Sequence, residues 1–137
     1  EVPSTASAKM SIPYSVAVAI VYGRAGLREY SEENIINPII LETAKKVSVA
    51  DDAELTIIFP EITSAIVKII TSDGRELVHR VDHPKGEPEN PLTDEEFRDR
   101  FNELVLFGGK NPDDAEKIFE FVQNGCSDWN ELFALLD

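Results

Sequence analysis

The sequence predicts an α+β fold with a small antiparallel sheet between two helical parts. Residues 65–71 are rich in Ile and Val, and residues 76–83 return as a partner strand after Asp73-Gly74, a dipeptide that favours a tight hairpin turn. Every residue of 16–22 is apolar or aromatic, which predicts a helix. After residue 93, apolar residues recur at helical spacing in three segments.

The segment 9–23 is expected to be the one around which the chain folds. A helix that is apolar all round must be covered on all sides, and this one is too short for a bilayer, which needs about 20 apolar residues. Pro13 suits a first helical turn, and Gly23 suits a left-handed end. We therefore expect a central helix that is buried on every side.

Two further helices are predicted from their start signals. Ser31 is a candidate N-cap for a single turn over 32–36, and Asn37-Pro38 restarts the helix. Their inward face is predicted to consist of Ile36, Ile39, Ile40, Thr43, Ala44 and Val47.

Short strands are expected at 47–49 and 55–59, on either side of Asp51-Asp52. In the later strand, His79 and His83 are expected to share one face because side chains alternate along a strand.

The carboxyl-terminal part is predicted to be purely helical. Thr93 and Glu96 form a capping box, and Gly108-Gly109 ends that helix. Asn111-Pro112 starts a second helix, and Ser127 is expected to cap a third. The inward residues of the last two are predicted to be Ala115, Ile118, Phe119, Val122, Trp129, Leu132, Phe133 and Leu136. This change of pattern predicts one part over 1–92 and another over 93–137.

The charge balance excludes some classes of partner. The 137 residues include 26 acidic and 13 basic side chains, for a net charge of −13. Such acidity argues against nucleic acid and anionic membrane surfaces, both of which attract Lys and Arg clusters. The single Cys126 rules out an internal disulfide and predicts a reducing, cytoplasmic location. Because the sequence begins with Glu1, we expect a piece of a longer protein.

The catalytic inventory is small. His79 and His83 could approach one metal ion, but without a third ligand we expect no metal. Neither histidine is linked in sequence to Cys126, so a buried or exposed thiol is the simpler interpretation. The run 108–110 follows a helix instead of a strand, which is the wrong context for a phosphate loop.

Tyr14 and Lys85 each have two possible roles. Tyr14 either donates a hydrogen bond or a proton to a substrate, or is a buried tyrosine that anchors its helix. Lys85 either meets an anionic ligand or is a solvated lysine of a proline-rich loop.

Two stretches resemble signatures of the MmgE/PrpD family. They are residues 9–19 (Lys-Met-Ser-Ile-Pro-Tyr-Ser-Val-Ala-Val-Ala) and residues 84–93 (Pro-Lys-Gly-Glu-Pro-Glu-Asn-Pro-Leu-Thr). Their spacing, with the hairpin at 72–74 between them, is also similar. The resemblance covers residues 8–107 well and the last helices loosely.

The family includes 2-methylcitrate dehydratase, cis-aconitate decarboxylase and an iminodisuccinate epimerase. The resemblance implies proton abstraction or donation next to a carboxylate of a small polycarboxylate, without a metal or other cofactor. It also implies a large helical domain and a smaller α+β lid, with the active site between them. This chain resembles the carboxyl-terminal region: most of the lid over 1–92, then helices over 93–137 that pack on the lid or on the helical domain.

Most of the family's catalytic residues lie upstream of such a region, so the resemblance implies a missing amino-terminal helical domain and a homodimeric complete protein. It matches Tyr14 to a lid tyrosine that faces the cleft, and it implies weaker substrate-binding roles for Lys9 and Ser11. The chain alone is expected to be inactive. The alternative is a non-catalytic interaction domain that binds a partner through its terminal helices.

Overall fold

The computed structural model describes residues 4–125 and 128–136, which form an α+β structure as predicted. It divides into two compact units, Glu1–Val49 with Asp99–Asp137, and Ala50–Arg98. The described helices are α1 Thr5–Lys9, α2 Ile12–Tyr22, α3 Glu32–Ile35, α4 Pro38–Ala44, α5 Ala53–Ile58, α6 Asp94–Phe107, α7 Pro112–Gln123 and α8 Trp129–Leu136, with a 3-10 turn at Arg28–Tyr30. The strands are β1 Ala65–Ile70 and β2 Glu76–Val81.

Helix α2 begins and ends as its sequence dictates. The Ser11 hydroxyl accepts a hydrogen bond from the Tyr14 backbone N–H, which satisfies one of the free donors of the first turn. Pro13 lies in that turn, where its missing N–H costs nothing. Gly23 ends the helix with a φ of 71°, in the left-handed region that a side chain disfavours.

The prediction that α2 is buried on every side is wrong. Tyr14, Ala17 and Val18 are buried, but Ile12 and Ile20 are each more than half exposed. Helices α1 and α4 pack against α2, and the described chain supplies no cover for the opposite side. The apolar sequence permits burial all round, whereas the number of packing neighbours decides it.

Helices α3 and α4 begin at the predicted residues. The Ser31 hydroxyl accepts from the Asn34 N–H, and the Asn37 side chain accepts from the Ile39 N–H at 2.9 Å. The predicted inward face is only partly correct: Ile40 is fully buried, but Ile36 and Ile39 are exposed. The core that results consists of Ala8, Tyr14, Ala17, Val18, Ile35 and Ile40.

The strands predicted at 47–49 and 55–59 are absent. The first segment is irregular, and the second lies in helix α5 and the residue that follows it. The Asp52 carboxylate accepts from the backbone N–H groups of Glu54 and Leu55 at 2.9 and 3.1 Å. This N-cap starts a helix despite the β-branched residues that follow, because it satisfies two donors at once.

The hairpin forms where predicted, with a slightly longer turn. Strands β1 and β2 pair antiparallel from Ala65 opposite Val81 to Ile70 opposite Glu76. The connection is a three-residue loop over 72–74, closed by the Thr71 N–H bond to the Arg75 carbonyl. Gly74 has a φ of 84°, as the last residue of such a loop requires.

Helices α6 and α7 begin as predicted. The Thr93 N–H donates to Glu96 at 2.8 Å, and the Glu96 N–H donates to the Thr93 hydroxyl at 3.2 Å, which confirms the capping box. The Asn111 side chain caps α7 through the Asp114 N–H. The Ser127 cap predicted for α8 lies outside the described residues.

The predicted inward residues of α7 are mostly buried, whereas those of α8 are half-buried or exposed. Ala115, Ile118 and Phe119 are buried as predicted, and Phe119 meets the ring of Phe101 edge to face at 5.2 Å. The other predicted inward residues are half-buried or exposed, and the exposed ones are Val122, Trp129, Phe133 and Leu136. The prediction is wrong for these four, since no described element covers them.

Ile40 and Ile39 offer a matched test of the core. We expect Ile40→Ala to lower the free energy of unfolding by about 2–5 kcal/mol, because it removes fully buried methylene groups and leaves a cavity. Ile39→Ala, on the same helix but 63% exposed, should change it by less than about 1 kcal/mol. Urea unfolding of both variants measures the difference, and equal losses would contradict this assignment of the core.

Candidate functional site

Tyr14 is the residue on which the predicted site depends, and the structure places it in the core. Its side chain has no exposed surface. The hydroxyl donates a hydrogen bond to the backbone carbonyl of Glu29 at 3.2 Å. The Tyr30 ring lies against it, with ring centroids 5.5 Å apart. Burial raises the pKa of Tyr14 above its ordinary value, with smaller contributions from Tyr30 and Tyr22.

This geometry supports the anchoring role of Tyr14 more than the catalytic one. A phenol has one proton to donate, and here it is donated to a carbonyl inside the same chain. For the hydroxyl to meet a substrate, that bond must break and the covering side chains must move. The catalytic role of Tyr14 therefore stays a prediction, and it requires a rearrangement of this core.

The carbonyl that accepts from Tyr14 belongs to a residue whose side chain is held at both carboxylate oxygens. One oxygen of Glu29 accepts from the Gly26 N–H at 2.8 Å, and the other pairs with Arg24 Nε at 3.1 Å. Arg24 also donates to Glu103 on α6 at 2.5 Å. One arginine thus holds two carboxylates that are 74 residues apart in sequence.

The carboxylates and the guanidinium lie close against the backbone of Gly26. A Cβ built there would overlap Glu103 Oε1 and would lie 2.9 Å from Arg24 Nη2 and 3.0 Å from Glu29 Oε2. All three atoms are ends of flexible side chains, so a side chain at residue 26 would push the two carboxylates and the guanidinium out of these positions.

The structure places the two weaker site residues at the start of α2. Lys9 is the exposed last residue of α1, where a cation suits the helix dipole. Ser11 is the N-cap of α2, so its hydroxyl already accepts the Tyr14 N–H. Substrate contacts by Lys9 and Ser11 stay predictions. The N-cap hydrogen bond by itself accounts for the presence of a serine at residue 11.

The two histidines do not form the pair that the strand pattern suggested. His79 lies on β2 opposite Val67, whereas β2 ends at Val81 and His83 lies beyond it. His83 instead approaches Glu87, with 3.8 Å between Nδ1 and a carboxylate oxygen. One ligand atom each from His83, Glu87 and Glu89 lies within 4.8 Å of the others. The sequence signal that could have found this group is the His-x3-Glu-x-Glu spacing around a Pro–Gly turn.

Lys85, in the same loop, pairs with Glu96 on α6 at 2.8 Å. The hydrogen bond from Lys85 lowers the pKa of Glu96, and the capping bonds to Thr93 lower it further. The anion that Lys85 meets in the structure is therefore a side chain of the same chain. Cys126 lies outside the described residues, so its environment stays untested.

The comparisons with known proteins identify the chain's family. The family model described as the MmgE/PrpD C-terminal domain matches residues 2–124, which is most of the sequence. No protein of established function matches the chain at a significant level. Within the described part of the chain, the longest apolar helices fall short of what a membrane crossing requires.

The buried hydroxyl of Tyr14 predicts how stability depends on alkaline pH. Because its folded pKa lies above the ordinary value of 10.0, its contribution to stability is complete below pH 10 and is lost as the pH rises through the folded pKa. Tyr14→Phe should therefore lose less stability between pH 10 and 12 than the unchanged protein. Below pH 10 the variant should be less stable by about 1 kcal/mol, for the lost hydrogen bond.

Denaturant unfolding at a series of pH values measures this difference. Tyr22→Phe is the matched control, because Tyr22 lies on the same helix, is 42% exposed and leaves Tyr14 in place. A Tyr14→Phe curve with the same alkaline slope as that of the unchanged protein would show that the phenol is not enclosed in solution.

Proposed function

We propose, because the chain belongs to the MmgE/PrpD family, that it is the carboxyl-terminal region of a lyase acting on a small polycarboxylate. The reaction that we propose is of the 2-methylcitrate dehydratase type. The family match over residues 2–124 is the observation that carries the proposal. The model that matches describes a C-terminal domain, which supports a preceding domain in the complete protein.

The proposed reaction needs a base and an acid. A base removes the proton from the carbon next to a carboxylate, the electron pair forms the carbon–carbon double bond, and the hydroxyl leaves as water after it takes a proton from the acid. In our proposal the base lies in the preceding helical domain. Each of the two proton transfers contributes about 10²–10⁴-fold when the group is well positioned.

The charge of this chain supports placing most substrate contacts outside it. A net charge of −13 repels a substrate with two or three carboxylates, so this region does not attract the substrate by its overall field. The cations that neutralise the substrate would then belong mainly to the preceding domain. Lys9 is the proposed contribution of this chain, since its ammonium group is exposed beside the start of α2.

The exposed area of the chain supports a large interface with another domain. The surface is 10231 Å², against about 7,100 Å² for a compact monomer of 15.3 kDa, or about 8,500 Å² for two separate compact bodies. An obligate interface buries about 2,000–5,000 Å² summed over both partners, so an excess of about 1,700–3,100 Å² on one partner is enough for such an interface. We propose that the preceding domain covers part of it, and that the complete protein is a homodimer.

The exposed apolar residues of α8 support the alternative function, an interaction domain without catalysis. Trp129, Phe133 and Leu136 recur at helical spacing and are 62%, 59% and 48% exposed. Such a stripe suits a partner helix. The two proposals differ in what binds: a polycarboxylate and a preceding domain in one, and an unrelated chain in the other.

The first test assays the complete protein on 2-methylcitrate, citrate and cis-aconitate. We expect dehydration of 2-methylcitrate, seen as ultraviolet absorbance of a double bond conjugated with a carboxylate. The 137-residue chain alone should show no turnover, because the base is absent. Turnover by the isolated chain would contradict our placement of the base, and inactivity of the complete protein on all three acids would favour an interaction domain.

The second test separates the two roles of Tyr14 in the complete protein. If the hydroxyl acts on the substrate, Tyr14→Phe should lower kcat by about 100-fold or more while KM changes little. If it only anchors α2, kcat should remain within about two-fold, and only the stability should fall, by about 1 kcal/mol. Tyr22→Phe, which removes the hydroxyl that donates to Asn34 and accepts from Asn37, is the control for a general effect of losing a hydroxyl on α2.

A further inference from the structure

We propose that His83, Glu87 and Glu89 bind a divalent transition-metal cation of the Zn²⁺ or Mn²⁺ type. The three residues lie in the loop after β2, and one ligand atom from each is within 4.8 Å of the other two. This inference does not depend on the proposed lyase activity, because it uses no residue of the proposed reaction and assigns the metal no step in it.

The donor set decides which cations fit. An imidazole nitrogen with two carboxylate oxygens suits Zn²⁺ and Mn²⁺, whereas Mg²⁺ and Ca²⁺ prefer oxygen ligands throughout. With ligand bonds of about 2.0–2.2 Å, neighbouring ligand atoms lie about 3–3.6 Å apart. His83 Nδ1 and the Glu87 oxygen are 3.8 Å apart, close to this spacing, and all three ligand atoms lie within 4.8 Å of one another, so the side chains need to close by about 1 Å.

The charges of the loop favour a cation. Among the described residues, neither Glu87 nor Glu89 pairs with a lysine or arginine. The nearest basic residue in sequence, Lys85, is engaged with Glu96 at 2.8 Å. Two carboxylates thus lie close together beside one imidazole, and a divalent cation would replace the repulsion between the carboxylates with attraction to the metal. His83 and Glu87 are half-buried, which reduces screening by solvent.

The loop backbone brings the ligands together without help from a metal. The Asn90 side-chain amide donates to the His83 carbonyl at 2.9 Å. The Gly86 N–H donates to the Asn90 carbonyl at 2.8 Å, and the Asn90 N–H donates to the Glu87 carbonyl at 3.0 Å. Asn90 therefore closes the loop on the residue that carries the imidazole. The free-energy cost of ordering the loop when a cation binds is therefore small.

The chain contains two histidines, and this gives the test its control. The complete metal-free protein is titrated with ZnCl₂ and with MnCl₂ by calorimetry, and its Tm is recorded with and without each metal. We expect one site per chain that His83→Asn removes, with at least a ten-fold loss of affinity, and a metal-dependent rise in Tm that disappears with it. His79→Asn, an exposed change on β2, should leave both unchanged.

Glu89→Gln is the second variant, because Glu89 is exposed and its replacement does not threaten folding. It should also weaken binding at least ten-fold. Co²⁺ gives an independent measurement, since its visible spectrum should show a nitrogen and oxygen environment that His83→Asn abolishes. Metal binding that persists in both His83→Asn and Glu89→Gln, or the absence of any site on this chain, would overturn the proposal.

Discussion

The packing around α2 depends on one constraint: the phenol of Tyr14 lies in an apolar core, so its hydroxyl must find a hydrogen-bond acceptor there. Leaving that hydroxyl unpaired would cost about 1–3 kcal/mol. The Glu29 carbonyl meets the need, and the rest of the local structure keeps that carbonyl in place. The Ser11 cap sets where α2 begins, and Arg24 and the Gly26 backbone hold the Glu29 carboxylate. A polar requirement at one atom thus explains why a turn, a glycine and an ion pair occur together.

Two further tyrosine hydroxyls form hydrogen bonds that involve α2. The Tyr30 hydroxyl donates to Ser15 at 2.8 Å, and the Tyr22 hydroxyl donates to Asn34 at 2.8 Å. A helix without a polar face has similar hydrophobicity on every side, so apolar contacts alone do not fix its rotation about its own axis. The hydroxyl bonds select one orientation, and they leave Ile12 and Ile20 on the outside. The orientation of α2 in this unit therefore depends on polar groups, and it leaves an apolar surface outward.

The sequence predicted what depends on a few neighbouring residues. The Thr93–Glu96 capping box and the caps at Ser31 and Asn111 were confirmed, because each rests on bonds within about four residues. The α+β class and the hairpin were confirmed because a short turn at 72–74 separates two strands that are adjacent in sequence. Helix α5 was not predicted because its β-branched residues favour a strand, whereas the Asp52 cap favours a helix. The burial of Tyr14 and the bond between Arg24 and Glu103 depend on residues far apart in the chain. The group formed by His83, Glu87 and Glu89 was also missed, although its members are at most six residues apart, because they lie in a loop with no helix or strand period to indicate which side chains approach each other.

The two-stranded sheet has a consequence for how the chain behaves in concentrated solution. Each strand is an edge, and Ile66, Ile70, Leu77 and Val78 on its two surfaces are all more than 40% exposed. Unpaired edges with β-branched residues are templates for strand addition between molecules. The 137-residue chain by itself is therefore expected to aggregate between molecules, and charged substitutions along the hairpin should reduce this aggregation.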